Sequence, residues 1–139
     1  MRPRTLLDTG PLVAILDRSD PHHAWALRTF STLEPPLHSC EAVLAEATHL
    51  LNRNGLSTQG PLAFVERGAV VLDFRVQEEI VAIRALMSQY ANVPMDFADA
   101  CLMQMAERVP GSTVVTIDSD FFVYRTSQGG AVSVIAPSE

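Results

Sequence analysis

Four stretches of the chain each place acidic residues beside an apolar run, a distribution typical of a site assembled from distant segments. Asp8 ends RTLLD, Glu46 lies inside EAVLAEATHLL, Asp96 and Asp99 lie in PMDFADACLM, and Asp118 and Asp120 lie in VVTIDSDF. Carboxylates about 4 Å apart repel by roughly 1 kcal/mol in water and by ~4 kcal/mol at an effective dielectric near 20. Bringing several together therefore requires raised pKa values or a bound cation. The cation is our leading interpretation, and it predicts hydrolysis of a phosphodiester.

Composition predicts one globular domain over residues 1–139, with 47% hydrophobic and 19% charged residues. No apolar stretch approaches the ~20 residues of a membrane helix, and no signal peptide opens the chain, so we expect a cytoplasmic protein with no membrane partner. The net charge of −6 argues against a broad basic surface that holds nucleic acid. It is compatible with a site whose cations, rather than arginines, meet a phosphate.

Residues that are missing or isolated exclude other chemistries. Cys40 and Cys101 show no CxxC or Cys/His spacing, which predicts two free thiols and no zinc site. Receiver domains and haloacid-dehalogenase-like phosphotransferases also cluster aspartates at strand ends, but both use a lysine, and every basic residue here is arginine. The DTGP segment after the first strand lacks the spacing of a P-loop. A phosphotransfer or nucleotide-binding function is therefore not favoured.

Apolar periodicity predicts strands and helices that alternate along the chain. We expect strands in RTLLD, in PPLHS together with its proline break, and in AVVLDF, STVVTI and AVSVIA. We expect helices in TGPLVAILD, where Gly10 and Pro11 form the junction, over Pro21–Leu33, Glu41–Arg53 with Ser39 as N-cap, Gln59–Arg67, Gln77–Tyr90 and Asp96–Arg108, and a short one in DSDFFVYR. The result is one α/β domain with a mostly parallel, five-stranded sheet.

This topology gives the acids a common meeting point. Ligands of an open parallel sheet bind beyond the carboxyl ends of the strands, where strand order reverses. Asp8 and Asp118 end strands, and a helix that leads into a parallel strand begins at the same edge. If the first and fourth strands are neighbours, Asp8, Asp99 and Asp118 converge there, and Glu46 approaches from the helix after the second strand.

The converging ligands are all oxygens, which favours Mg²⁺, with Mn²⁺ as a substitute, over zinc. Such a cation activates water and orients a scissile phosphate without a protein nucleophile. Thr9, Ser39 and Thr116 stand beside the acids and are suited to hydrogen-bond metal-bound water. Asp96 and Asp120 are auxiliary candidates, and either is also explained as the N-cap of the helix that follows it.

The acidic stretches resemble the motifs of the PIN-domain nucleases and, within them, of the VapC-type ribonuclease toxins. LLDTGPLVAILD, VLAEATHLL, DFADACL and VVTIDSDF are similar to the family's four acidic motifs in order and spacing, from Asp8 to Phe121. The resemblance implies a three-layer α/β/α sandwich and Mg²⁺-dependent cleavage of single-stranded RNA. It carries the catalytic and metal-binding roles onto Asp8, Glu46, Asp99 and Asp118. It also implies a homodimer and a cognate antitoxin protein that lies in a groove near the acids.

Two other functions stay open at this stage. A non-catalytic RNA-binding or regulatory PIN domain would bind RNA without metal, and an RNA-processing nuclease would cleave RNA without being a toxin. The number of metal ions, the RNA and its cleavage sequence depend on groove shape and loop contacts, which periodicity does not encode.

Overall fold

The computed structural model describes residues 2–138, which form five β-strands, six α-helices and one 3₁₀ helix. The strands are β1 (Thr5–Leu7), β2 (Leu37–Ser39), β3 (Val70–Leu72), β4 (Thr113–Val115) and β5 (Ser133–Ile135). The helices are α1 (Thr9–Leu16), α2 (His23–Phe30), α3 (Glu41–Arg53), α4 (Gln59–Glu66), α5 (Val76–Gln89) and α6 (Phe97–Arg108), and the 3₁₀ helix spans Ser119–Phe122. Strands and helices alternate as predicted.

The five strands form one parallel sheet in the order β3-β2-β1-β4-β5. Leu6 at the centre of β1 is in register with His38 of β2 on one side and with Val114 of β4 on the other. The chain thus moves outward from β1 to β3 and then returns to β4 on the far side of β1. The reversal of strand order falls between β1 and β4, which confirms that the first and fourth strands are neighbours.

The direction of the crossovers assigns the helices to two layers. Right-handed connections place α1 to α4 on one face of the sheet while the chain moves outward, and α5 and α6 on the other face when it returns. The packing agrees, because α1 contacts α2 and α3, α3 contacts α4, and α5 contacts α6. The predicted α/β/α sandwich is confirmed. No helix within residues 2–138 is long and apolar enough to cross a bilayer.

The core explains why the short strands hold together. Leu6, Leu7, Val114 and Val115 of the two central strands are completely buried, as expected for a sheet covered on both faces. On α6, nine consecutive residues from 98 to 106 are buried. Asp99, near the start of α6, is therefore buried together with the apolar residues around it.

Helix α2 is shorter than the predicted Pro21–Leu33. The Asp20 side chain accepts from the backbone N–H of His22 at 2.8 Å, and the Asp20 carbonyl accepts from that of His23 at 3.0 Å. This local turn replaces the first helical turn, as aspartate side chains do when they compete for backbone donors. At the other end, the Thr32 hydroxyl donates to the Thr29 carbonyl at 2.7 Å.

Helix α3 has the predicted bounds but a different cap. Its N-cap residue is Cys40, which makes no side-chain capping bond, so the prediction of Ser39 as N-cap is wrong. The Ser39 hydroxyl instead donates to the Leu7 carbonyl at 2.7 Å and joins the ends of β2 and β1. Cys40 and Cys101 are both buried free thiols, as predicted.

Three other helices differ slightly from their expected bounds. Helix α1 begins directly at Thr9, so Gly10 lies inside it rather than at a junction. Helices α4 and α5 differ from the expected bounds by one residue.

A buried acidic residue joins α5 to α6 far from the acidic motifs. Glu79 is 7% exposed and accepts from Nε2 of Gln104 at 2.7 Å and from Nε of Arg108 at 2.9 Å. The hydrogen bond from the Arg108 guanidinium holds the pKa of Glu79 below its ordinary value. Removing the carboxylate leaves the buried Gln104 amide without its acceptor.

We expect Glu79→Ala to lower the free energy of unfolding by about 1–3 kcal/mol, the usual cost of stranding a buried polar group. Urea unfolding followed by circular dichroism measures the change. Glu78→Ala is the matched control, because Glu78 is 62% exposed in its ion pair with Arg75 and contributes about 0–1 kcal/mol. Equal losses for both variants would show that the Glu79 contacts do not stabilise the fold.

Candidate active site

Asp8 stands where β1 ends and α1 begins. Its extended backbone (φ −86°, ψ 169°) lets the side chain turn back, so that Oδ1 accepts from the N–H of Thr9 at 2.8 Å. Its Oδ2 accepts from Oγ1 of Thr116 at 2.7 Å. The carboxylate is 7% exposed. Two directional hydrogen bonds therefore fix its orientation at the centre of the sheet edge.

Thr116 joins the ends of the two central strands. Its completely buried hydroxyl donates to Asp8 and accepts from the N–H of Asp118 at 2.9 Å. Thr116 is one of the hydroxyls expected to hydrogen-bond metal-bound water, and in the structure its single hydrogen is donated to Asp8. The bridge places Asp118 next to Asp8 although 110 residues of sequence separate them. Asp118 in turn caps the 3₁₀ helix, because its Oδ1 accepts from the N–H of Asp120 at 2.9 Å. Asp120 lies inside this helix, so the interpretation of Asp120 as its N-cap is wrong.

Asp96 and Asp99 form a reciprocal capping box at the start of α6. Oδ1 of Asp96 accepts from the N–H of Asp99 at 2.7 Å, and Oδ2 of Asp99 accepts from the N–H of Asp96 at 3.4 Å. The cap interpretation of Asp96 is thus confirmed. Asp99 is 6% exposed, and its Oδ2 also accepts from the hydroxyl of Tyr124 at 3.2 Å. Sequence reasoning missed Tyr124, since no motif spacing marks it.

Burial and neighbouring charges raise the pKa of four of these acids. Burial, helped by the charges of Asp118 and Glu46, raises the pKa of Asp8 to about 6. Burial, helped by Asp96, Asp8 and Asp118, raises the pKa of Asp99 to about 8.

The pKa values of Glu46 and Asp120 are raised as well. Burial and the charge of Asp96 raise the pKa of Glu46 on α3. Burial and Asp118 raise the pKa of Asp120. The predicted acids are therefore brought together at the carboxyl edge of β1 and β4, within electrostatic reach of one another.

The oxygen atoms gathered at this edge are of the kind that bind a hard cation. Every nearby charged donor is a carboxylate oxygen, and Oγ1 of Thr9 is buried without a hydrogen-bond partner beside Asp8. Among residues 2–138, no three His, Cys, Asp or Glu side chains lie close enough together to enclose an ion. Carboxylate and hydroxyl oxygens are ligands that suit Mg²⁺, which keeps several of its waters when it binds proteins. Three hydroxyls, those of Thr9, Ser39 and Thr116, are expected to hydrogen-bond metal-bound water. Ser39 donates to the Leu7 carbonyl and Thr116 to Asp8, whereas the Thr9 hydroxyl has no hydrogen-bond partner within residues 2–138.

The raised pKa values predict how stability changes with pH in the absence of cations. A carboxyl whose pKa is higher in the folded state favours folding below its unfolded value of 3.8 and loses that contribution as the pH rises through its folded value. For Asp8 and Asp99 the loss spans about pH 4 to 8. In EDTA at pH 8, Asp99→Asn should therefore melt at a higher temperature than the wild type.

The difference between the two melting temperatures should shrink as the pH is lowered to 5, which differential scanning fluorimetry measures. A shift of roughly 3–5 °C corresponds to about 1 kcal/mol for a domain of this size. A destabilised Asp99→Asn at pH 8 would contradict the raised pKa of Asp99.

Comparison with known proteins agrees with this architecture. The family model described as PIN domain matches residues 5–126. The crystal structure of VapC20 from Mycobacterium tuberculosis, a toxin that cleaves the sarcin-ricin loop, is similar with a TM-score of 0.71 and 20% identity. The match covers 84% of this chain and 91% of that one. No curated protein matches this sequence. The matched residues contain all four acidic motifs and both central strands, and the chain belongs to the PIN-domain family.

Proposed function

We propose that this chain is an Mg²⁺-dependent endoribonuclease that hydrolyses phosphodiester bonds of single-stranded RNA. The observation that carries the proposal is the bridge from Asp8 through Thr116 to Asp118, with Asp99 buried beside it, in a chain of the PIN family. Capping accounts for single acids but not for their gathering at one edge, because like charges raise the free energy of one another's charged forms. Such clusters are characteristic of functional sites.

The four acids with the metal-binding role are Asp8, Glu46, Asp99 and Asp118. When bound, Mg²⁺ or Mn²⁺ supplies activation of water and neutralisation of charge on the scissile phosphate. The chain's own contribution is orientation: Thr116 and the Thr9 N–H hold Asp8, and the Asp96 cap holds the first turn of α6. The buried Thr9 hydroxyl is suited to accept or donate a hydrogen bond to water at the site. With a net charge of −6, the protein depends on this neutralisation to approach RNA.

Cleavage of a mixed structured RNA pool tests the nuclease. The wild type should cut in Mg²⁺ or Mn²⁺ and not in EDTA, and Asp99→Asn should lower the rate at least about 100-fold, more than the loss of a mere supporting partner. The asparagine retains an oxygen that can accept from Tyr124, so the fold should be kept, as circular dichroism would show.

Glu66→Gln is the matched control for Asp99→Asn. It removes one negative charge from the exposed last residue of α4, and its cleavage rate should equal that of the wild type. RNA binding without cleavage, unchanged by EDTA and by Asp99→Asn, would instead support the non-catalytic RNA-binding alternative. The ends of the fragments identify the preferred site.

We further propose that the nuclease is a toxin that forms a homodimer and is silenced by a cognate antitoxin protein. The similarity to VapC20, a toxin by its description, supports this over an RNA-processing role. Apolar side chains exposed on α5, Val81 at 81% and Ile80 at 39%, support a protein interface on that helix. Light scattering of the purified chain reports the dimer.

Expression of the chain by itself should inhibit bacterial growth if it is a toxin. Asp8→Asn should relieve the inhibition, because asparagine still caps α1 but removes a charge from the cluster. Colony counts after induction measure the effect, with Glu66→Gln as the variant that should stay toxic. Equal growth with wild type and Asp8→Asn, at equal protein levels, would favour an RNA-processing nuclease.

A further inference from the structure

Tyr124 lies two residues beyond the 3₁₀ helix, and nothing in the four acidic motifs includes it. It is the largest of the completely buried side chains within residues 2–138. Its hydroxyl donates to Oδ2 of Asp99 at 3.2 Å. A tyrosine hydroxyl carries one hydrogen, and here that hydrogen is donated to the carboxyl group of Asp99. Asp99 thus receives a hydrogen bond from outside its own helix.

The ring of Tyr124 is fixed by aromatic contacts on two sides. Its centroid lies 5.1 Å from that of Tyr90 and 5.3 Å from that of Phe121, with interplanar angles of 65° and 78°. Edge-to-face pairs of this kind contribute about 0.5–1.5 kcal/mol each beyond their buried area. They hold the phenol in one rotamer, and its hydroxyl therefore reaches Asp99 from a constant direction.

The backbone around Tyr124 is fixed as well. The hydroxyl of Tyr90, at the end of α5, accepts from the N–H of Arg125 at 2.7 Å. Nη1 of Arg125 donates to the carbonyls of Phe122, Val123 and Tyr124 at 2.9–3.1 Å. The three bonds from the Arg125 guanidinium fasten the segment that follows the 3₁₀ helix to itself, and they do not involve the Tyr90 hydroxyl, which adds a separate bond to α5.

The two oxygens of Asp99 have different surroundings. Oδ2 accepts from the Tyr124 hydroxyl and, at 3.4 Å, from the N–H of Asp96, whereas Oδ1 accepts no hydrogen bond from residues 2–138. Asp8, in contrast, has a donor on each oxygen. A carboxylate held by one oxygen is turned in a defined way and keeps its other oxygen for a further ligand. This asymmetry distinguishes Asp99 from Asp8.

We propose that Tyr124 is a positioning residue, which holds Oδ2 of Asp99 so that Oδ1 stays available to bind a divalent cation. The inference rests on the proposed metal-dependent nuclease and deepens it, because it assigns a role to a residue outside the acidic motifs. Partners that orient metal-binding side chains typically contribute 10–100-fold to metal affinity or activity. A purely structural tyrosine would change stability alone.

Tyr124→Phe tests the proposal, because it keeps the ring contacts and removes only the hydroxyl. Tyr90→Phe is the matched control: it also removes one tyrosine hydroxyl from the same aromatic cluster, but that hydroxyl contacts Arg125 and not Asp99. For the wild type and both full-length variants, Mn²⁺ binding is measured by electron paramagnetic resonance of the free ion. Melting temperature in EDTA and RNA cleavage are measured in parallel.

We expect Tyr124→Phe to raise the Mn²⁺ dissociation constant about 10-fold, and Tyr90→Phe to leave it unchanged even where both variants melt at similarly lowered temperatures. An unchanged constant in Tyr124→Phe, or an equal change in both variants, overturns the positioning role. A wild type that binds no Mn²⁺ overturns this role and the metal site together. A wild type that binds Mn²⁺ more tightly than Tyr124→Phe but cleaves no RNA leaves the positioning role standing and refutes the nuclease.

Discussion

The repulsion among carboxylates gathered at one edge of the sheet is the constraint around which the rest of this structure is arranged. Asp8 and Asp99 are almost fully buried, and burial is the largest cause of their raised pKa values, followed for Asp99 by neighbouring acids. Each buried charge without a partner lowers the free energy of unfolding. Burial of apolar side chains elsewhere in the sandwich must therefore offset this loss of stability. The buried residues of α6 and of the two central strands provide it.

Hydrogen bonds from backbone N–H groups and from a threonine hydroxyl offset part of the repulsion among the carboxylates. The Thr116 hydroxyl and the N–H groups of Thr9, Asp99 and Asp120 each donate to a carboxylate oxygen of the cluster. The same bonds determine which way each carboxylate turns. In this protein the groups that stabilise the acids are also the groups that orient them, so the stability of the edge and its proposed chemistry depend on the same contacts.

Much of the architecture could be predicted because local signals and global topology agree. The bounds of α3 and the alternation of strands and helices follow from apolar periodicity, and the adjacency of β1 and β4 from the rules for parallel sheets. The sequence also marked which acids would meet. It failed where polar side chains have several possible partners: Asp20 forms a turn that shortens α2, and Ser39 binds the Leu7 carbonyl rather than capping α3.

The sequence by itself determined the family, the parallel sheet and the set of acids at its edge, because these depend on hydrophobic pattern and on motif order along the chain. Only the tertiary structure decided how each carboxylate is held. Thr116 lies 108 residues from Asp8 and Tyr124 lies 25 from Asp99, and no periodicity relates such pairs. Their contacts arise when packing brings β4, the 3₁₀ helix and α6 around β1, and a hydrogen bond depends on distances of a few tenths of an ångström that a pattern of residue types does not specify.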